Sequence, residues 1–134
     1  MAGYSETPLV RKLGFKEGMK ILFLDAPDDY IQLIPDLPPG CSVAYGEGRD
    51  MDLVHLFARN ISDLENKILK AKESIHKNGI LWISWAKKSS ALYSDLDGNT
   101  VREMGLSTGL VDIKVCAVDD TWSALKFVYR VKDR

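Results

Sequence analysis

A chain of 134 residues is enough for one domain, which at this size buries about two-thirds of the surface its unfolded chain exposes, and 1–134 is read as a single unit. With 46% apolar residues, 28% charged residues and a formal net charge of -1, the composition is that of an ordinary globular protein. It lacks the basic excess that would track a nucleic acid or hold the chain on an acidic membrane.

Apolar runs reach only four or five residues, far short of the roughly 20 that cross a bilayer, and Met1 to Arg11 has no apolar signal core. Cys41 and Cys116 stand alone, without a CxxC pair or a Cys/His cluster. That pattern predicts buried free thiols and a cytoplasmic setting, and no zinc site.

Taken in chain order, Thr7 as N-cap, Pro8 at the first helical position and Gly14 as the stop predict a short helix striped by Leu9 and Leu13. Met19 to Leu24 is a continuous apolar run and predicts a strand buried on both faces. Asp28 to Ile34 predicts a short helix, Pro38-Pro39-Gly40 a break, and Cys41 to Tyr45 a short strand. Met51 to Phe57 is a further apolar strand.

Ser62-Asp63-Leu64-Glu65 has capping-box spacing, so a helix should follow, with Leu64, Ile68, Leu69, Ala71 and Ile75 inward and Asn78-Gly79 at its end. Ile80 to Trp85 predicts the next buried strand. Thr100-Val101-Arg102-Glu103 repeats the capping spacing and predicts a helix to about Thr108. Val111, Ile113, Val115 and Ala117 then alternate with polar residues or Cys116. Beyond a turn at Asp119-Asp120-Thr121, so do Leu125, Phe127, Tyr129 and Val131, which predicts an antiparallel hairpin. Alternating strands and helices followed by a hairpin predict an α/β, three-layer, Rossmann-like fold. Its sheet would be mostly parallel, with about six strands.

Several phrases resemble the class I S-adenosylmethionine-dependent methyltransferase-like family. Gly18-Met19-Lys20-Ile21-Leu22-Phe23-Leu24-Asp25 resembles its first strand, Asp52-Leu53-Val54-His55-Leu56-Phe57 its fourth, and Lys77-Asn78-Gly79-Ile80-Leu81-Trp82-Ile83 the approach to its fifth. The hairpin from Val111 to Val131 resembles its sixth and seventh strands. More narrowly, the segment from Thr7 to Gly14, the phrase Trp85-Ala86-Lys87-Lys88-Ser89-Ser90 and the tail from Gly109 are similar to a group of short bacterial proteins of this fold. The resemblance implies a truncated topology, because the family's third strand has no counterpart between Tyr45 and Met51.

The family places a glycine-rich turn after its first strand, where backbone approaches the cofactor. Here the turn is Asp25-Ala26-Pro27-Asp28-Asp29, without glycine. Pro27 removes a backbone donor, and the carboxylates repel an anionic cofactor group, so no cofactor is expected and S-adenosylmethionine binding in the usual mode is disfavoured.

Ligands of open α/β sheets bind beyond the carboxyl ends of the strands. That edge would gather Asp25, Pro27, Trp85, Lys87, Lys88, Ser89 and Trp122 as candidate ligand-binding residues. Trp85 and Trp122 would stack on a flat ligand or close the core. Lys87, Lys88, Ser89 and Ser90 would grip a phosphate or form a solvated loop. His55 reads as a satisfied core histidine, and His76 as a favourable charge at a helix end. No catalytic residue and no metal ligand is assigned.

The sequence thus predicts a non-catalytic, methyltransferase-like domain that binds a small ligand or a protein partner. Two alternatives stay open. One is a degenerate enzyme using Trp85, Lys87 and Asp25. The other is a structural module forming a homo-oligomer through an uncovered face bearing Lys126, Val128 and Arg130.

Overall fold

A computed structural model describes residues 8–134. The elements run α1 (Leu9–Leu13), β1 (Lys20–Leu24), a 3-10 turn (Tyr30–Leu33), β2 (Ser42–Tyr45), β3 (Met51–Phe57), α2 (Ile61–Ser74), β4 (Ile75–Ala86), α3 (Gly98–Ser107), β5 (Leu110–Ala117), β6 (Trp122–Tyr129) and a closing 3-10 turn (Val131–Asp133). Six strands form one sheet in the order β2-β1-β3-β4-β6-β5. β2, β1, β3 and β4 are parallel, and β6 is antiparallel to both β4 and β5. The fold class read from the sequence is therefore the one observed, including the absent outer strand, since residues 46–50 alone link β2 to β3.

The sheet separates two cores. On one face α2 and α3 bring Leu64, Ile68, Ala71 and Val101 against Leu22, Val54, Leu81 and Phe127. On the other, α1 and the loop after β1 bring Val10, Leu13, Tyr30 and Ile34 against Phe23, Leu53, Phe57 and Trp82. The central strands are buried on both faces, so their sequences read as unbroken apolar runs. The fully buried indole of Trp82 donates from Nε1 to the carbonyl of Leu13 at 2.8 Å, pinning α1 to the sheet. Gly14 ends α1 at φ +82°, as expected of the stop; the proposed cap Thr7 lies outside the described residues.

Element boundaries depart from the sequence reading in four places. α2 starts two residues before the start that Ser62 implied and is capped by Asn60, whose side chain accepts from the Asp63 N–H at 2.7 Å. It also ends at Ser74 rather than Asn78-Gly79, because Ile75 turns extended to pair with Met51. His76 therefore leaves the helix end and meets Asp52 instead, Nε2 to Oδ1 at 2.7 Å. Residues 76–79 bulge out before Leu53 pairs with Ile80, and a Cβ on Gly79 would lie 2.9 Å from the Met51 carbonyl oxygen. Leu69, expected inward, is 59% exposed.

α3 likewise begins at Gly98, capped by Asp97, and not at Thr100. In β5 the pairing jumps from Asp112↔Phe127 to Lys114↔Lys126, so Ile113 is an extra residue and the alternation changes face there. Ile113 and Val115 end up 58% and 66% exposed at the sheet edge, while Leu110 and Cys116 are buried. β6 stops at Tyr129, leaving Val131 exposed in the closing turn. Both cysteines are free thiols; Cys116 is buried as expected, but Cys41 is only half-buried.

Candidate functional site

The chain passes from β1 out to β2 and returns to β3 on β1's other side, so strand order reverses at the carboxyl ends of β1 and β3. That is where a doubly wound sheet opens its ligand crevice. Here the crevice is bridged and filled. Asp25 leaves β1 at φ +57°, a left-handed conformation that Asp tolerates better than most residues. Its carboxylate is ion-paired with Lys67 of α2, which also binds Asp63 at 2.5 Å. Partial burial draws the Lys67 ammonium down, but the two carboxylates outweigh it and hold its pKa above the ordinary lysine value. Burial acts to raise Asp63, yet Lys67 and the Arg59 N–H, 2.9 Å from Oδ2, leave it below the usual carboxylate range.

On the other face of the sheet, the Pro27 carbonyl accepts the Tyr30 N–H at 3.0 Å, and the turn folds Tyr30 inward to 2% exposure. Its ring packs edge-on to Phe23, Phe57 and His55, with centroids 4.9, 5.0 and 5.1 Å away. The Tyr30 hydroxyl is 2.6 Å from His55 Nδ1, and His55 Nε2 is 2.6 Å from Ser84 Oγ. Burial depresses the His55 pKa to about 3, so the ring is neutral and supplies one donor and one acceptor. Burial also raises the Tyr30 phenol. The row Tyr-His-Ser has the atoms of a proton relay, but His55 and Ser84 are both 0% exposed and no substrate reaches them. It is a satisfied core network.

A second concavity, about 500 Å³, opens between the end of β4, the first turn of α3 and the β5–β6 hairpin. Trp85, Leu125, Ile113 and Val115 supply its apolar lining, and Lys88, Arg102, Asp97 and Asp112 its charges. Both carboxylates are engaged. Asp97 Oδ1 accepts the Thr100 N–H at 2.9 Å, the chief reason its pKa is lowered, and Asp112 Oδ2 accepts from Arg102 Nε at 3.1 Å. Among the described residues, neither Lys88 nor Lys114 is in an ion pair.

The structure distributes the residues singled out from the sequence over several places. Trp85 and Lys88 line the second cleft. Asp25 sits in the bridge at the crevice. Pro27 lines a smaller cleft of about 230 Å³ with Phe23, Tyr30 and Tyr45. Lys87 turns onto the hairpin, its Nζ donating to the Asp119 carbonyl at 2.6 Å. Ser89 is exposed in the following turn. Trp122, placed by sequence at the hairpin tip, is the first residue of β6 and is turned into the core, edge-on to Phe57. The sequence reading did not find Asp97, Arg102, Asp112, Lys114 or Val115. Gly98 carried the available signal, since Asp97-Gly98 precedes a helical pattern and a capping Asp there brings the helix start beside Trp85.

No protein-family model matches the sequence, and no curated protein is significantly similar to it. Its structure is similar to solved methyltransferases. A TehB-like SAM-dependent methyltransferase from Corynebacterium glutamicum superposes with a TM-score of 0.59 at 13% identity, covering 96% of this chain and 91% of that one. A precorrin-6y C5,15-methyltransferase from Geobacter metallireducens gives 0.64 at 11% identity, with 91% and 86% covered. A SAM-dependent methyltransferase from Aquifex aeolicus gives 0.59 at 15%, with 89% and 86% covered. The chain thus has the class I methyltransferase-like Rossmann fold, shortened at the β2 edge.

The fold family implies S-adenosylmethionine, and the crevice residues do not fit it. A 3-10 turn with no side-chain cap follows β1 where a helix N-terminus would offer N–H donors. Pro27 has no N–H, and the exposed carboxylate of Asp28 stands beside it in the turn, where it would repel the cofactor's own carboxylate. Among the described residues no cluster of His, Cys, Asp and Glu is suited to a metal ion, and no helix is long and apolar enough to cross a membrane.

Proposed function

We propose that this domain is a non-catalytic relative of the methyltransferases that works by binding a small ligand or partner without S-adenosylmethionine. The observation that carries the reading is the replacement of the cofactor crevice by packed protein. Tyr30 packs under the turn on one face of the sheet, and on the other the Asp25–Lys67–Asp63 bridge ties the end of β1 to α2. Opening that turn to admit a cofactor would disturb the buried Tyr30 ring and its hydrogen bond to His55. The reading as an enzyme built on Trp85, Lys87 and Asp25 finds less support. Asp25 and Trp85 leave strands two positions apart, about 10 Å of sheet, and Lys87 is committed to the hairpin turn.

Thermal melting in the presence of millimolar S-adenosylmethionine or its demethylated product tests the proposal. No shift in midpoint is expected. A ligand present at 100 times its dissociation constant adds about 2.7 kcal/mol, so binding in the micromolar range would raise the midpoint visibly and overturn the reading.

A further inference from the structure

We infer that Lys12, Lys16, Lys114 and Lys126, gathered on the α1 side of the sheet, bind a compact polyanion, a small molecule carrying clustered phosphate groups. The inference rests on the binding reading above and gives it a site and a ligand chemistry.

The strand register brings the four together. Lys126 stands on β6 between two neighbours, across from Trp82 of β4 on one side and Lys114 of β5 on the other. Trp82, Ala124 and Cys116 belong to the core on the α1 side. Lys126 follows Ala124 by two residues and Lys114 precedes Cys116 by two, so both lysines face that side. The Trp82 indole holds the Leu13 carbonyl there, and Leu13 and Phe15 are buried in the same core. Lys12 and Lys16 flank those two anchors. They come close enough for Lys12 to act on Cys116 and Lys16 on Lys126.

The charges are left without counter-ions. Among the described residues none of the four lysines is in an ion pair, and neither is Glu17, next to Lys16 in the chain. Lys126 is half-buried, and its strand is an inner one. Burial lowers its pKa, and the charges of Lys114 and Lys16 lower it further, with no carboxylate acting in the other direction. Lys114 directly opposite is a like-charge pair, which weakens a ladder. A partly desolvated ammonium is normally paired, and a group left strained in this way marks a place where a ligand completes the pairing.

Four ammonium groups around one spot ask for several negative charges close together, and lysine serves phosphate well as a point charge. A long polyanion suits the surface less. The formal net charge of the whole chain is -1, so the residues outside the cluster are acidic in sum and repel a strand running beyond it. A second copy seated face to face would set these lysines against each other.

Tripolyphosphate and inorganic phosphate, titrated into the full chain at low salt, test the site. Tripolyphosphate is expected to bind at least about tenfold more tightly, with NMR amide shifts centred on Lys16, Lys114, Cys116 and Lys126. Lys114→Gln with Lys126→Gln should weaken it at least about tenfold, the exposed single change Lys16→Gln about threefold, and Lys88→Gln, on the other side of the sheet, less than twofold. In phosphate-free buffer Lys126→Met, which keeps the aliphatic stem, should raise the melting midpoint; a fall would mean that the ammonium is already satisfied and would overturn the premise. ATP in a parallel titration separates a free phosphate chain from one carried on a nucleoside. Either one supports the site if the double variant abolishes its binding. Equal affinity for the two phosphates, an unaffected double variant, shifts centred elsewhere, or tighter binding of single-stranded oligothymidylate would each overturn the assignment. S-adenosylmethionine in the same melts keeps the two proposals apart. A midpoint raised by it while tripolyphosphate still binds ends the cofactor-free reading and leaves this site standing.

Discussion

The Tyr30 hydroxyl lies 2.6 Å from Nδ1 of His55, and through that ring the loop after β1 is joined to Ser84 at the middle of the sheet. A neutral imidazole has one N–H and one lone pair, so the hydrogen bonds run in a single direction along the row in either tautomer. Removing either end leaves a buried polar nitrogen without its partner. Tyr30→Phe keeps the ring packing and deletes only the hydroxyl, and it should cost about 1–3 kcal/mol in urea unfolding. A loss below about 0.5 kcal/mol would mean that the hydroxyl is not holding the loop.

The same burial sets a pH dependence. His55 titrates near pH 3 when folded and near its ordinary 6.5 when unfolded, so at intermediate pH the unfolded chain binds the extra proton. The stability this group contributes is complete above about pH 6.5 and is lost as pH falls toward 3, at up to about 1.4 kcal/mol per unit. Asp52 and Asp63 are also held below the usual carboxylate range, and their contribution is lost at lower pH, beginning near pH 5. Between about pH 6.5 and 5 the slope therefore belongs mainly to His55. His55→Gln, which retains a donor and an acceptor, should flatten the unfolding free energy across that window; an unchanged slope would assign it to other groups.

Much of the fold was legible because the central strands are buried on both faces. Leu22 and Phe23 point to opposite cores, so Ile21 to Leu24 reads as one apolar run whichever side is considered. The departure of the turn after β1 from a glycine-rich one was legible too, in its residues: Asp25, Pro27 and Asp28 leave it without glycine. Tyr30 as the group packed under that turn was not, because nothing in a lone tyrosine states which way its loop folds. Val115 misled for a physical reason. Period-two alternation assigned it to a covered face, but the bulge at Ile113 reverses the faces halfway along β5. The second cleft could not be read because Trp85, Asp97 and Val115 meet only after α3 crosses back over the sheet.

The helix starts give a direct comparison between sequence spacing and geometry. Ser62 and Thr100 have the spacing of capping residues, but the N–H groups at the two helix starts are accepted by Asn60 and Asp97. Asn60→Ala and Asp97→Ala should each lower stability by about 1 kcal/mol, whereas Ser62→Ala, an exposed change inside α2, should stay within about 0.5 kcal/mol. Denaturant midpoints of the three variants read this, and the opposite ranking would restore the caps inferred from sequence.

Gly105 sets two effects of opposite sign against each other. It sits inside α3, where alanine in place of glycine favours the helix by roughly 0.8–1.0 kcal/mol. Its Cα faces Phe127, however, and an added Cβ would fall inside contact distance of the ring atoms Cε1, Cζ and Cδ1. Phe127 is 0% exposed and is held in the ladder opposite Leu81 of β4 on one side and Asp112 of β5 on the other, so it has little room to retreat. Overpacking of this kind costs about 1–3 kcal/mol, which exceeds the gain in propensity. Gly105→Ala should therefore destabilise the domain, a lower melting midpoint being the readout, and it should do so through Phe127. Introduced into a Phe127→Leu background, where the ring atoms are gone, the same alanine should cost less or become favourable. A coupling near zero in that double-mutant cycle, or a stabilised single variant, would show that α3 shifts on the sheet freely enough to admit the methyl group.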